Sequence, residues 1–283
     1  MARLIATTPI QPGFEFDKRW KYREQRWVAP GPLFDPCRYG VELTPERDAK
    51  RFTIEHHYSG SYPASRLAVG LYRLSAARLQ ELVGVAVFSV PMQQAVIPRY
   101  TGLEPRQGAE LGRFVLLDEL PYNSESWFLR RAFQALKATK PEIRSIVSFA
   151  DPLGRLAGTT PKKPHWGVIY AASNALYAGQ SRPAVLQIAP NGQLLSQRAL
   201  SKIRLDEIGR AYAERQLVAA GAPPREAEES SSIWLERALA HPGFHQLRHP
   251  GNHVYVFGLD AAARAAARAA NPTERPYPKP RAA

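Results

Sequence analysis

The chain has 283 residues, 45% of them hydrophobic and 10% aromatic, which is enough for one large core or two small ones and too much for a disordered polymer. Lys and Arg number 38 against 25 acidic residues, a formal charge of +13 that favours a polyanion partner, because each neutralised phosphate releases condensed counterions. Cys37 is the only cysteine, which excludes an intrachain disulfide and a multi-cysteine zinc site and suits a reducing cytosol.

The N-terminal MARLIATTPIQPGFEF lacks the apolar core of a signal peptide, and the longest apolar run, Leu82 to Met92, is too short to span a bilayer. The expectation is a soluble cytoplasmic protein without a membrane partner. Residues 1–50, rich in Pro, Arg and aromatics, have no regular period and read as a basic arm. LAVGLYRL and ELVGVAVFSV read as a strand hairpin, and ELGRFVLL as a third strand. After DELPYNSES, residues Leu129, Ala132, Phe133 and Leu136 give the spacing of one buried helix face, with Asn123 or Ser124 as N-cap. IRSIVSFAD reads as a buried strand ending at Asp151. VIYAASNALYAG reads as a second helix stopped by Gly179, with Tyr170, Asn174 and Tyr177 on one face. AVLQIAP, a charged helical stretch over 204–221, a strand at HVYVFGLD and a helix-prone DAAARAAARAA follow, and NPTERPYPKPRAA reads as a disordered tail. The order predicts an α/β fold with a mixed central sheet flanked by helices, as a single domain over 51–262 between the arm and a tail at 263–283.

In open sheets of this class ligands bind at the carboxyl ends of strands, which singles out 117–126 and Asp151. Free N–H groups at the LPYNSES turn, with Asn123, Ser124 and Ser126, can hold a phosphate; an ordinary N-cap explains the same residues. Asp151 suits a base, a metal ligand or a turn residue. His56, His57 and Tyr58, read as extended, alternate across a strand, so the two adjacent histidines do not easily share a metal. His165 lies just before the Tyr170 helix, where a histidine tends to stay neutral and fit for a base or ligand. HPGNH, with His249 and His253, reads as a tight turn rather than a metal site.

Three stretches together resemble the Mom family of bacteriophage proteins: ELGRFVLLDELPYNSESWFL, then SIVSFADP with HWGVIYAASNALYAG, then HPGNHVYVFGL, with HHYSGSYP as a weaker fourth match. The resemblance spans roughly residues 55–259 and implies a GNAT-like acyltransferase fold that binds acetyl-CoA. It implies conversion of the adenine N6 amine in DNA to a methylcarbamoyl adduct, protecting phage DNA from host restriction. An iron site is associated with the family, and His57, Tyr58, Asp151 and Tyr170 occupy its candidate ligand positions. Asp151, Tyr170, His57 and Ser124 are the implied catalytic residues, and Arg113, Asn123, Ser124 and Ser126 the implied cofactor side. A homodimer is compatible with this reading. The sequence departs from the family in a longer loop over 152–164, whose Lys162 and Lys163 can contact phosphates. An adenine amine is a poor nucleophile stacked within the duplex, so the base must be flipped or single-stranded, and Tyr58, Trp127 or Trp166 can stack on it for about 1–3 kcal/mol. Two other readings fit some of the same residues: an ordinary CoA-dependent N-acetyltransferase acting on a small-molecule or protein amine, and a non-catalytic phage DNA-binding protein.

Overall fold

The computed structural model describes residues 17–21, 24–28, 34–75, 78–121, 123–157, 160–162 and 164–279. In chain order the elements are β1 (Asp17–Lys21), β2 (Glu24–Val28), β3 (Tyr39–Leu43), α1 (Glu46–His56), β4 (Ser65–Ser75), β5 (Arg78–Ser89), α2 (Val96–Thr101), β6 (Gly108–Leu116), α3 (Ser124–Thr139) and β7 (Ser145–Ala150). Then come β8 (Arg155–Ala157), β9 (Thr160–Lys162), α4 (Val168–Ala172), β10 (Leu176–Gln180), β11 (Ala184–Ile188), α5 (Gln197–Arg204), α6 (Arg210–Ala219), α7 (Ser231–Ala240), β12 (His245–His249), β13 (His253–Gly258) and α8 (Ala261–Ala270). The chain divides into two compact units, one of Met1–Ala150, His165–Gly179 and His253–Ala283, the other of Asp151–Pro164 and Gln180–Asn252.

The first unit is built on a seven-stranded sheet in the order β10-β13-β7-β6-β5-β4-β3. The β3–β4, β4–β5, β5–β6 and β7–β13 pairs are antiparallel and β6–β7 is parallel, which makes the sheet mixed, as the alternation of patterns predicts. One face packs on α3, whose Phe128, Leu129, Ala132 and Leu136 are buried against Leu71, Phe88, Leu111 and Ile146. Against the opposite face lies α1, with Ala49 and Phe52 buried on Val85, Val87 and Val115. Further apolar contacts join α2 and α8 to Val147, Val254 and Val256. At roughly 25 cal/mol per Å² of apolar surface removed from water, these three clusters are the main stabilising contribution of the unit.

Four local expectations change. Tyr39–Leu43, within the stretch read as an arm, is the edge strand β3 paired along β4. His56 ends α1 and His57 is its C-cap, so these residues leave a helix rather than alternate along a strand. The expected second helix is only the five residues of α4, because Asn174 turns left-handed (φ 59°) and Leu176–Gln180 becomes strand β10. The Tyr177 hydroxyl lies 2.7 Å from His253 Nδ1 there, so sheet pairing overrides the helix propensity of ASNALYA. The tail, read as disordered, is tied down in its described part: Arg275 Nη1 donates to Ala178 O at 2.9 Å and Tyr277 Oη to Ala175 O at 2.7 Å.

The second unit packs α5, α6 and α7 around Trp234, with Leu200, Ile203, Leu217 and Leu235 buried beside it. Ser196 and Ser230 cap α5 and α7 by accepting from Ala199 N and Ile233 N, the role short hydroxyl side chains fill at helix starts. β11 and β12 form an antiparallel pair, as do β8 and β9. Among the described residues no helix is long and apolar enough to cross a membrane.

Candidate functional site

The site of the first unit begins with a fork in its sheet. β6 and β7 pair in parallel only from Gly108–Glu110 to Ser145–Val147, although β6 runs on to Leu116 and β7 to Ala150. Past Glu110, that edge of β6 has no ladder, and its backbone groups need another partner. This is the strand-end location where open sheets of the class take ligands.

A bulge next to the fork sets which side chains enter it. Leu111 pairs with Phe88 and Arg113 with Val87, which leaves Gly112 as an extra residue in β6. Side chains alternate along a strand, so Glu110 and Arg113 would otherwise point to opposite faces. The extra residue reverses the alternation. Ala109 and Leu111 join the α3-side core before it, and Phe114 and Leu116 join the same core after it. Glu110 and Arg113 therefore share the α1 side, with Val115 buried there. Glycine is required at the bulge because a Cβ would run into Ser89 Oγ and lie 3.1 Å from Pro63.

Pro63 belongs to the loop that leaves α1, and Arg113 fastens that loop. Its Nε donates to Ser61 O at 3.0 Å and its Nη2 to Ser61 Oγ at 2.8 Å. His57 and Tyr58 open the loop with their rings 4.2 Å apart. His57 Nδ1 accepts from the Ser59 backbone N–H at 3.2 Å and lies 2.8 Å from Ser59 Oγ, so the neutral ring carries its proton on Nε2. Burial, then the positive charge of Arg113, then His165 push the His57 pKa down to about 3, and the ring is neutral at physiological pH. His165 is also 5.7 Å from the ring of Tyr170, edge to face. Its turn is set by Gly167 (φ 70°), where a Cβ would collide with the Tyr255 ring, and the Tyr255 hydroxyl donates to Trp166 O.

Burial pushes the Glu110 carboxyl up to about 7, with Arg113 pulling it partly back. Tyr170 is buried and its phenol is held well above the usual range, first by burial and then by Tyr58 and Glu110. His57, Tyr58, Arg113 and Tyr170 are thus brought together with His165, and Glu110 joins them. Sequence reasoning missed Glu110. It sits in an apolar strand next to ordinary core positions, and only the bulge and the fork give it a role; a glycine inside a strand two residues later was the one available signal.

The remaining predicted residues lie elsewhere. Asn123, with φ 69°, precedes α3 without a side-chain cap bond, Ser124 is buried as the first helical residue, and Ser126 Oγ donates to Asn123 O at 3.2 Å. Asp151 follows the last residue of β7 and belongs to the second unit, where Oδ1 accepts from His249 Nε2 at 2.8 Å and from Leu153 N at 2.9 Å. His249 Nδ1 accepts from Gly251 N at 3.0 Å, which fixes the proton on Nε2 toward Asp151. The iron implied by the resemblance does not fit these positions. Among the described residues no three His, Cys, Asp or Glu side chains gather as metal ligands, and His57 presents an N–H at Nε2 rather than a lone pair.

The mixed sheet with its fork thus sets a carboxyl raised to about 7, a neutral histidine and an arginine together, groups with the chemistry to take up or give a proton. The Mom protein family model matches residues 38–279, and the chain belongs to that family. Among solved structures it is similar to a tandem GNAT protein from the clavulanic acid biosynthesis pathway, solved without AcCoA: 9% identity, TM-score 0.39, over 78% of this chain and 99% of that one. It is also similar to a malonyl-CoA decarboxylase from Agrobacterium vitis, at 11% identity and TM-score 0.32, over 84% of this chain and 68% of that one. A search of curated proteins found no match.

Proposed function

We propose that the protein is a transferase that moves an acyl group from an acyl-CoA donor, acetyl-CoA, to the exocyclic N6 amine of adenine in phage DNA, forming the N6–carbon bond from which the methylcarbamoyl-type mark that protects the DNA from restriction is built. The observation that carries the reading is the cluster of His57, Tyr58, Glu110, Arg113 and Tyr170 beside the β6–β7 fork in a chain of the Mom family. The open edge of β6 suits the amides of a CoA arm, and the head of α3, with Asn123, Ser124 and Ser126, suits its phosphates. The donor supplies an activated carbon when bound.

The chain's own residues account for the rest. Attack of the N6 amine on the thioester carbon forms the N6–carbon bond as the carbon–sulfur bond breaks and CoA leaves as the thiol, and Glu110, half-buried with its carboxyl raised to about 7, is the group to receive the amine proton. His57 presents Nε2–H to an oxygen that gains charge, and it stays neutral while doing so. Tyr58 stacks against the flipped base, and Tyr170 stays protonated as a second donor. Arg113 holds the loop that carries the His57–Tyr58 pair. Ser124 completes the proposed set from the head of α3, and Asp151 is proposed on its own, in the second unit, as a carboxylate oriented by His249.

Nucleoside mass spectrometry on DNA from expressing cells tests this. The expected result is a methylcarbamoyl adenine in the wild type that is absent with Glu110→Gln and His57→Phe. Unmodified adenine with soluble, expressed wild-type protein would sink the reading and favour an N-acetyltransferase acting on a small-molecule or protein amine.

A further inference from the structure

A second feature of the first unit runs from the head of α3, where Asn123 and Ser126 line it, along the helix away from His57 and Glu110. A groove of about 1280 Å³ runs between α3, the end of β13 and α8. Arg130 and Lys137 line it from α3, and Arg264 and Arg268 from α8, with Glu274 as the one carboxylate among the lining residues. Seven residues of helix separate Arg130 from Lys137, about 10 Å of axis, and Arg264 and Arg268 are one turn apart on their own helix. All four are exposed. Among the described residues Arg130, Lys137 and Arg268 make no ion pair, while Arg264 donates to Gly258 O at 3.3 Å. Trp127 and Tyr277 add two aromatic faces to the lining, and Tyr277 is 43% exposed.

A fold does not need this arrangement. The buried faces of α3 and α8 are made by Leu129, Ala132, Leu136, Ala263 and Ala267, and of the four cations only Lys137 acts on a carboxylate, at a distance on Asp260, which Arg144 already pairs. Cations on both walls repel one another, a cost that an anion running between them would remove. One DNA strand places a phosphate about every 3.4 Å of axis, so 10 Å of α3 faces about three of them. Aromatic faces among the cations are what a nucleic-acid strand uses for stacking.

We propose that this groove binds the sugar-phosphate backbone of DNA flanking the modified base, through Arg130, Lys137, Arg264 and Arg268. The inference rests on the DNA reading given above, and its test separates the two. Binding of a labelled DNA duplex and of a labelled single strand of the same sequence is followed by fluorescence anisotropy over a salt series, for the full chain and for the triple variant Arg130→Gln/Lys137→Gln/Arg268→Gln. Glutamine preserves helix propensity at these exposed positions, and a thermal melt checks that the variant is folded. The double variant Arg130→Gln/Lys137→Gln provides a second reading if the triple one is unfolded.

The expected result is weaker DNA binding and a log–log salt slope shallower by about 2 to 3 for the triple variant, with acetyl-CoA affinity unchanged. Glu110→Gln is expected to keep the full slope while losing the adenine mark, so loss of chemistry and loss of backbone binding are distinguishable. An unchanged DNA slope in the folded triple variant would overturn the proposal. Loss of acetyl-CoA affinity with DNA binding intact would overturn it too, by assigning the groove to the donor's phosphates. If wild type binds no DNA at all, the adenine reading falls along with it.

Discussion

Glu110 and His57 carry opposite pH signatures, because burial disfavours the charged form of each. The Glu110 carboxyl is raised from 4.5 to about 7 in the folded chain, so folding takes up a proton between those values. Its contribution to stability is full below about 4.5 and is lost as pH rises through about 7, at most about 3 kcal/mol for a shift of this size. His57 is depressed from 6.5 to about 3, so its contribution is present above 6.5 and is lost as pH falls toward 3. The two slopes oppose each other between pH 4.5 and 6.5. Glu110→Gln should therefore be more stable than wild type at pH 8, and its melting temperature should climb with pH up to about 6.5, where only His57 is left to act. Calorimetry at five or six pH values checks this, and equal melting temperatures at pH 8 would show that the Glu110 carboxyl is not raised in the folded chain. In modification kinetics the wild type should gain activity with a midpoint near pH 7, as Glu110 ionises and becomes able to take a proton.

At the scale of elements, the bulge in β6 joins fold to site. It turns Glu110 and Arg113 to one side, lets Pro63 approach, and so fixes the loop that begins at His57. Gly112→Ala places a methyl group against Ser89 Oγ and Pro63, both part of packed structure. The expected outcome is a loss of about 1–3 kcal/mol of stability and a larger loss of modification than Ser89→Ala shows. Retained modification in a folded Gly112→Ala protein would mean that the loop does not depend on the bulge. Asp151 depends on its neighbours in another way. Its Oδ1 accepts two hydrogen bonds, from His249 and Leu153, and an asparagine keeps that oxygen. Asp151→Ala should therefore lower the melting temperature while Asp151→Asn keeps it, and loss of the mark in the Asn variant would place the charge itself in the chemistry. Much of the element pattern was readable in advance. The β4–β5 hairpin, β6, α3, β7 and β13 fall where the hydrophobic periods put them. The failures at α4–β10 and at His57 have one cause: short segments with both helical and strand character take the form that their partners impose, here β13 for Tyr177 and the end of α1 for His57.

For the whole molecule, the C-terminal segment is structural as far as it is described. Arg275 and Tyr277 return to the carbonyls of Ala178 and Ala175 beside β10. Removing residues 272–283 should cost about 1–3 kcal/mol, the net worth of two hydrogen bonds with some apolar burial. A truncated chain with an unchanged melting temperature would show these contacts to be without weight. By itself the sequence determined the α/β class, the strands and helix with strong periods, the basic charge and the family, because each is written in local pattern or in composition. It also named His57, Tyr58, Arg113 and Tyr170. Only the tertiary structure decided that these four gather, that Glu110 joins them as a near-neutral acid, and that four cations face one groove. The physical reason is that burial, the bulge at Gly112 and the parting of β6 from β7 depend on neighbours distant in the chain, and a local sequence window contains none of them.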